Sequence, residues 1–288
     1  MHIFSAIVSA FSSSVTSIFG KLSFTIGATP LQILFIRFLF SFLFAFILFF
    51  LLRKKFSAKL FLFFGSLGIL NYGIAAFLFF YGLTFLNPAY ATVLFFTNPI
   101  FVLIIQWIFF KTQKSFFSAL SIIFSFLGVI LANIAESIFG SDNIIYGTFL
   151  VLGAAFLNAL FISISGEKIK SLSTSVVENV FYTFLGTFVF YFLVILLFGQ
   201  VHSLKLSYFP YGILLSVFST FLPLSLNYFS LKKVESHSLA VIMPLEIVFA
   251  SVLSYLIFKE TFSLIKVIGF VFVGIAPVID NLKNLRKS

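Results

Sequence analysis

The sequence predicts an all-helical (all-α) integral membrane protein with ten transmembrane helices, arranged as two inverted five-helix repeats. Three observations carry that expectation. Apolar letters make up 61% of the 288 residues and charged ones only 9%, against about 25% charged in an ordinary water-soluble domain. The apolar residues fall into ten runs, each near the roughly 20 residues that one helical crossing of a bilayer requires. A shift of 148 positions then lays the pattern of the first half over the second. Aromatic residues at 20% exclude a disordered chain, and the absence of cysteine excludes a disulfide scaffold.

The runs lie near 3–22, 31–52, 60–80, 89–110, 116–134, 146–165, 175–199, 210–230, 236–258 and 263–280. The first begins almost at Met1 but lacks the basic flank and small-residue cleavage site of a secretory signal, so a retained first helix is expected. Its hydroxyls (Ser5, Ser9, Ser12, Ser13, Ser14, Thr16, Ser17) suit close helix packing or a wet cavity better than lipid. Pro30 opens the second run, which contains Arg37 and stops before Arg53, Lys54 and Lys55. The fourth is interrupted by Asn98-Pro99 and ends at Lys111; Gly128 marks the fifth. In the second half Glu178 lies near the start of the seventh run, Met243-Pro244 interrupts the ninth, and Gly269 and Gly274 mark the tenth. Connections such as Leu86-Asn87-Pro88-Ala89 are a few residues long. Successive helices are therefore antiparallel neighbours, with no room for a soluble domain. The 48 phenylalanines read as lipid-facing filler.

Orientation follows from the basic residues, which accumulate in cytoplasmic loops. With the N-terminus inside, Arg53, Lys54, Lys55, Lys59, Lys111, Lys114, Lys168, Lys170, Lys232, Lys233, Lys283, Arg286 and Lys287 are cytoplasmic, thirteen against four outside (Lys21, Lys205, Lys259, Lys266). Both termini are thus expected in the cytoplasm, in the cell (inner) membrane. The net charge of +10 is accounted for by these loops, and no nucleic-acid partner is expected.

Under the 148-residue shift, residues 79–112 face 227–260. Leu83, Val93, Phe101, Phe110 and Lys111 then match Leu231, Val241, Phe249, Phe258 and Lys259. Each half closes a long run with Phe-Lys, turns, and enters a glycine-containing helix. Five crossings per half place the halves, 1–140 and 141–288, upside down to one another. Inverted repeats of this kind hold a site near the bilayer midplane and work by alternating access.

Several features are similar to the EamA-type branch of the drug/metabolite transporter superfamily: the ten-run layout, Gly20-Lys21, Pro30, Arg37, and the stretch from Leu245-Glu246-Ile247 to Phe258-Lys259-Glu260. The resemblance covers essentially the whole chain. Of the family's proline-to-glutamate pattern ending helices 4 and 9, Pro99, Glu246 and Glu260 match. Thr112 and Ile247 depart from it, with Pro244 one turn earlier. The resemblance implies a carrier of small metabolites and leaves the solute open.

Charged groups inside the bilayer need a partner or a purpose. Glu246, near the middle of the ninth run, suits proton coupling, contact with a cationic substrate group, or a structural tie between helices. Arg37, toward the outer face, can clamp an anion or snorkel outward, and a structural role is favoured. His202 and His237 lie at helix ends, read as solvated interfaces, and no spacing suits a metal site. Among intramembrane amides (Asn71, Asn98, Gln106, Asn158, Asn227), Asn98 is the leading ligand candidate, because Asn98-Pro99 and Met243-Pro244 break corresponding runs. Proline frees a backbone carbonyl, and freed groups at membrane depth are tolerated where they line a cavity. Tyr72, Tyr81 and Tyr228 are candidate aromatic walls, and Trp107 an interfacial anchor. The candidate substrate-binding set is therefore Arg37, Asn71, Tyr72, Tyr81, Asn98, Asn227, Tyr228 and Glu246, with Glu246 also the proton-coupling candidate.

A secondary transporter is the leading function. No nucleotide-binding motif, catalytic pair or HExxH motif is found, so no cofactor is expected and an enzyme is the second class. A channel lacks filter repeats, and a structural or assembly role stays open. The expected partners are a small molecule and the lipid bilayer, with a homodimer left open. One acidic and one basic intramembrane residue favour a zwitterion or an amphipathic neutral metabolite, amino-acid-like solutes first.

Overall fold

The computed structural model describes residues 1–82, 85–86, 88–112, 115–133, 143–172, 174–258 and 263–285. Leu83, Asn87, Lys114, Lys259, Glu260, Arg286 and Lys287, singled out above, lie outside them.

Among the described residues the chain is all helical, without strands. The first half contains α1 (His2–Ser13), α2 (Thr16–Thr25), α3 (Pro30–Leu51), α4 (Ala58–Gly82), α5 (Pro88–Phe95), α6 (Asn98–Ile108) and α7 (Phe116–Asn133). The second contains α8 (Ile144–Ser171), α9 (Val176–Leu197), α10 (Leu206–Leu231), α11 (Ser236–Ile242), α12 (Leu245–Phe258) and α13 (Leu264–Leu285). Among the described residues seven helical segments are long and apolar enough to cross a membrane, and His2–Ser13 and Phe116–Ala132 are shorter apolar helices. Helix occupies each of the ten apolar runs. The first run is divided by a turn at Ser14 and Val15, which the sequence reading did not expect.

Local chemistry explains where the helices start. Thr29 and Ser175 form matching capping boxes: Thr29 Oγ1 accepts from Gln32 N, whose side chain accepts from Thr29 N, and Ser175 with Glu178 repeats the arrangement. Each box satisfies two of the backbone donors a helix start leaves orphaned. Thr29→Ala and Ser175→Ala are each expected to cost about 1 kcal/mol, read as a lowered melting temperature in detergent, while Thr29→Ser stays near the parent.

One extensive helix pair is α3 with α9, equal in length at 22 residues each. The two lie antiparallel. Thr29 and Gln32 at the start of α3 bond Gln200 and Ser203 just past the end of α9. At the opposite end Lys54 pairs with Glu178 at 3.5 Å, and the Ser57 amide donates to the Tyr182 hydroxyl at 2.6 Å. Between the ends runs a ladder of stacked rings: Phe38 on Tyr191, Phe42 on Phe188, and Phe49 on Phe181 at 4.1 Å. Offset-stacked rings of this kind contribute about 0.5–1.5 kcal/mol each beyond the area they bury. Part of the phenylalanine excess is thus interhelical packing rather than lipid-facing filler.

Helices α7 and α13 also pack antiparallel, with Phe124 stacked on Phe272 and Gly128 facing Val273. A β-carbon on Gly128 would overlap Gly269 O, and one on Gly269 would overlap the Ala132 backbone. Glycine is what lets these two backbones touch. Helix α1 lays its serines on α10: Ser5 bonds Ser230, Ser9 donates to Pro223 O and Ser12 to Phe218 O. Of the two uses expected of this hydroxylated face, Ser5, Ser9 and Ser12 serve close packing, while Ser13 and Thr16 line the central cavity.

Candidate functional site

Two interrupted helices frame the site. Helix α5 ends at Phe95 and α6 restarts at Asn98, with Pro99 in its first turn; α11 ends at Ile242 and α12 restarts at Leu245, directly after Pro244. Both breaks are bridged by single-turn bonds, Ile100 N to Thr97 O and Glu246 N to Met243 O, each 3.0 Å. Asn98 and Glu246 therefore occupy the first turn of a half-helix, where the helix dipole presents positive potential and backbone donors lack helical partners.

Two further irregularities sit in register. Residues Ile69–Ala75 of α4 and Val217–Phe221 of α10 are π-helical, and their starts are 148 residues apart. A π segment adds a residue to a turn and turns side chains off the regular face, commonly at functional positions. Here the first carries Asn71 and Tyr72, and the second carries Ser219 and Thr220 in the equivalent positions.

These elements enclose a cavity of about 190 Å³. Arg37 and Phe38 of α3, Asn71 and Tyr72 of α4, Asn98 of α6, Asn158 of α8, Asn227 of α10 and Glu246 of α12 all line it. Six of the eight candidate residues are therefore brought together. The other two are not: Tyr81 is 44% exposed and stacks on Phe77, while Tyr228 is buried behind the wall, sharing a hydrogen bond with Thr183 at 2.6 Å. Phe79, Phe80, Phe95, Phe96 and Phe161 supply most of the apolar wall.

Arg37 does not snorkel outward. It is buried, donating from Nε to Thr220 Oγ1 and from Nη2 to Ser219 O, with its guanidinium 5.4 Å from the Phe38 ring centre. It thus clasps the π segment of α10. Glu246 faces the same cavity and makes no ion pair with Arg37 within 4.0 Å among the described residues. The amides form a directed chain, Asn98 Nδ2 to Asn158 Oδ1 at 2.6 Å and Asn158 Nδ2 to Asn71 Oδ1 at 2.9 Å. Asn98 Oδ1, Asn227 Oδ1 and Ser219 Oγ have no protein partner. Buried polar atoms ordinarily find one, and these three belong to residues that line the cavity together with Glu246.

Asn158 is the residue the sequence reading noted as an intramembrane amide but left out of the site; it is the hinge of the amide chain. Its signal was its residue type alone, since it lies in α8 without a flanking proline. His237 needs correction: it is buried, not a solvated interface, and meets Ser118 at 3.0 Å and Asp280 at 3.4 Å. Asp280, which closes the tenth run and was not counted among intramembrane charges, is buried as well. Among the described residues no group of three or more His, Cys, Asp or Glu could hold a metal.

The family model of the EamA-like transporter family matches the chain twice, over residues 1–134 and 145–279. The chain belongs to that family, and with its long apolar helices it is an integral, multi-pass membrane protein of a transporter family. Among 29 matching chains of solved structures is one described only as "Crystal structure of protein", similar with a TM-score of 0.83 at 13% identity, covering 100% of this chain and 98% of that one. That likeness is one of fold. No curated protein sequence matches the chain.

Proposed function

We propose that this chain is a secondary carrier that moves a small amphipathic solute, amino-acid-like in its polar head, by alternating access, with Glu246 as the group that exchanges a proton. The observation that carries this reading is the cavity itself. Two broken helices in corresponding positions deliver a carboxylate and an amide to one chamber, together with a guanidinium and an aromatic wall. A solute with an ammonium or N–H head finds acceptors in Glu246, Asn98 and Asn227; an attached anionic group finds Arg37; an apolar body finds the phenylalanines.

The carrier has ten crossings in two inverted halves, 1–140 and 141–288, with both termini in the cytoplasm of a cell whose inner membrane it spans. The antiparallel lie of α3 against α9 and of α7 against α13 supports the inversion, because each pair joins equivalent helices of the two halves. The reading makes the chain a carrier and not an enzyme, in keeping with the family's description.

The test is uptake of labelled amino acids and nucleobase compounds into proteoliposomes, with and without an imposed proton gradient. Glu246→Gln is expected to reduce gradient-driven accumulation by about tenfold or more, as befits an intramembrane carboxyl with a proton to carry, while exchange without a gradient persists. Concentrative uptake at the parent level in Glu246→Gln would remove Glu246 from the proton path. An immobile panel in both proteins would count against the carrier reading.

A further inference from the structure

Helices α4 and α10 are equivalent members of the two halves, with π segments that start 148 residues apart. Each sends one stripe of side chains, four residues apart, into the cavity: Asn71, Ala75 and Phe79 from α4, and Ser219, Pro223 and Asn227 from the same places on α10. The neighbouring stripe breaks the symmetry. On α4 it is Tyr72, Ala76 and Phe80, and all three line the cavity. Its counterpart on α10 is Thr220, Leu224 and Tyr228; none of the three lines it, and each is at most 1% exposed. Two equivalent helices thus present unequal faces to one chamber.

Two side chains of the α3–α9 pair hold the α10 stripe away. Arg37 Nε donates to Thr220 Oγ1. Thr183 Oγ1 gives its own hydrogen to Asn179 O at 2.7 Å and so accepts from the Tyr228 hydroxyl at 2.6 Å. The Tyr228 ring meets Phe64 edge-on at 5.9 Å and lies tilted on Phe161 at 6.1 Å. Arg37 and Thr183 are themselves equivalent, each eight residues after the cap of its helix, Thr29 or Ser175.

The two stripes run toward opposite ends of the bundle. Helix α4 starts at the rim of Lys54 and Ser57 and ends at Gly82, two residues past Phe80. Helix α10 starts beyond Gln200 and Ser203, at the rim of Thr29, and ends at Leu231, three residues past Tyr228.

We infer that Thr220, Leu224 and Tyr228 form a solute-facing wall in the carrier's other state, open toward the Lys54 rim, and that the Arg37–Thr220 and Thr183–Tyr228 bonds are the catches that hold this wall shut here. The inference rests on the carrier reading and deepens it. Inverted halves rock against each other and exchange roles between the two states, so the face that α4 exposes here is the face that α10 exposes there. Tyr228 is then an aromatic wall of the opposite state.

The composition of the stripes suits that exchange. Ala76 and Phe80 have no polar side-chain atom, so they can be packed away without a partner. Thr220 and Tyr228 carry hydroxyls, which in a packed interior need the partners that Arg37 and Thr183 bring and in an open cavity are satisfied by water or solute. Each state therefore leaves the retired stripe bonded or apolar.

The chain has no cysteine, so single cysteines report wetting directly. Ala76→Cys and Leu224→Cys stand in the middle of the two stripes and leave both catches in place. The probe is a charged, membrane-impermeant methanethiosulfonate, applied to right-side-out and to inverted membrane vesicles. Ala76→Cys is expected to react from the face of the Thr29 rim, and Leu224→Cys more slowly and from the face of the Lys54 rim. Adding Thr183→Val to Leu224→Cys removes one catch at nearly constant side-chain shape, and is expected to raise the rate about threefold or more from that same face. Adding Thr183→Ser keeps the hydroxyl and is expected to leave the rate at its starting level.

Reaction of both cysteines from one face would overturn the proposal, since local loosening wets Leu224 through the cavity already open. So would a Leu224→Cys rate that Thr183→Val does not change, or no reaction of Leu224→Cys from either face. If Thr183→Val does not fold, the sidedness of the two single cysteines decides alone. The rates are read without solute. Concentrative uptake by a protein whose Leu224→Cys never reacts from the Lys54 face would keep the carrier reading and remove this wall from it.

Discussion

Replacing Gly186 by alanine is expected to prevent α4 and α9 from reaching their native separation, and to be among the most damaging single-methyl additions in the chain. A β-carbon on Gly186 would overlap the carbonyl oxygen and Cα of Gly65, and one on Gly68 would overlap Thr183 O across the same crossing. What it meets is backbone, which has no rotamer to change. Overpacking against movable side chains already costs about 1–3 kcal/mol, so here the cost is expected at the upper end or beyond. Parting α4 from α9 also displaces the π segment Ile69–Ala75 that offers Asn71 and Tyr72 to the cavity. Thermal unfolding in detergent, followed by the single tryptophan Trp107, provides the measurement. Gly274→Ala is the control: nothing lies within 4 Å of its added carbon, and its melting is expected to match the parent to within about 1 kcal/mol. Equal melting of the two variants would refute the backbone contact.

The second large effect concerns the two charges of the cavity. Arg37→Met removes two hydrogen bonds from the π segment of α10, to Thr220 Oγ1 and Ser219 O, and leaves Glu246 as the remaining ionisable carboxylate in a shared chamber without its cation. Hydrogen bonds from a charged donor contribute about 1.5–3 kcal/mol each, and Glu246, more than 4.0 Å away, loses in addition the one cation that lines its cavity. In a Glu246→Gln background that electrostatic part is absent, so the same Arg37→Met change is expected to cost about 1–2 kcal/mol less. The double-mutant cycle of unfolding energies therefore has a defined sign. Arg37→Lys keeps the charge but lacks the planar fork; it is expected to spare Glu246 while still losing the clasp on α10. Additive costs in the cycle would mean that the two groups do not sense each other.

Where the sequence was readable, the reason was a residue that cannot behave neutrally in lipid. Prolines 99 and 244 marked both helix breaks, because a missing N–H and a freed carbonyl must be accommodated somewhere. Arg37, Asn71, Asn98, Asn227 and Glu246 marked the cavity, because polar groups in a bilayer turn toward one another. The capping boxes at Thr29 and Ser175 lie in residues spaced three apart, Thr29 with Gln32 and Ser175 with Glu178, a signal that the sequence analysis did not use.

Other features left no such mark. In a run that is apolar on every side, periodicity does not separate a lining face from a lipid face. Tyr72 and Tyr81 therefore looked alike, although only Tyr72 reaches the cavity. The π segments arise from tertiary packing of ordinary helix sequence, and the turn at Ser14–Val15 had only a serine run to announce it. His237 opens the ninth run and Asp280 closes the tenth, so antiparallel packing brings these ends together, but apolar patterning did not say that the two side chains turn inward and meet.

The stacked rings between α3 and α9 have a mechanical meaning. Dispersion between flat aromatic faces changes slowly as one ring slides over another, whereas a hydrogen bond is lost within a fraction of an ångström. The middle of this interface is therefore a low-friction bearing. Its detents are at the rims: Thr29 and Gln32 with Gln200 and Ser203 at one end, Lys54 and Ser57 with Glu178 and Tyr182 at the other. The barrier to turning one helix against the other is set by those few polar contacts, so the rate of such motion is tunable from the rims without touching the cohesion of the centre.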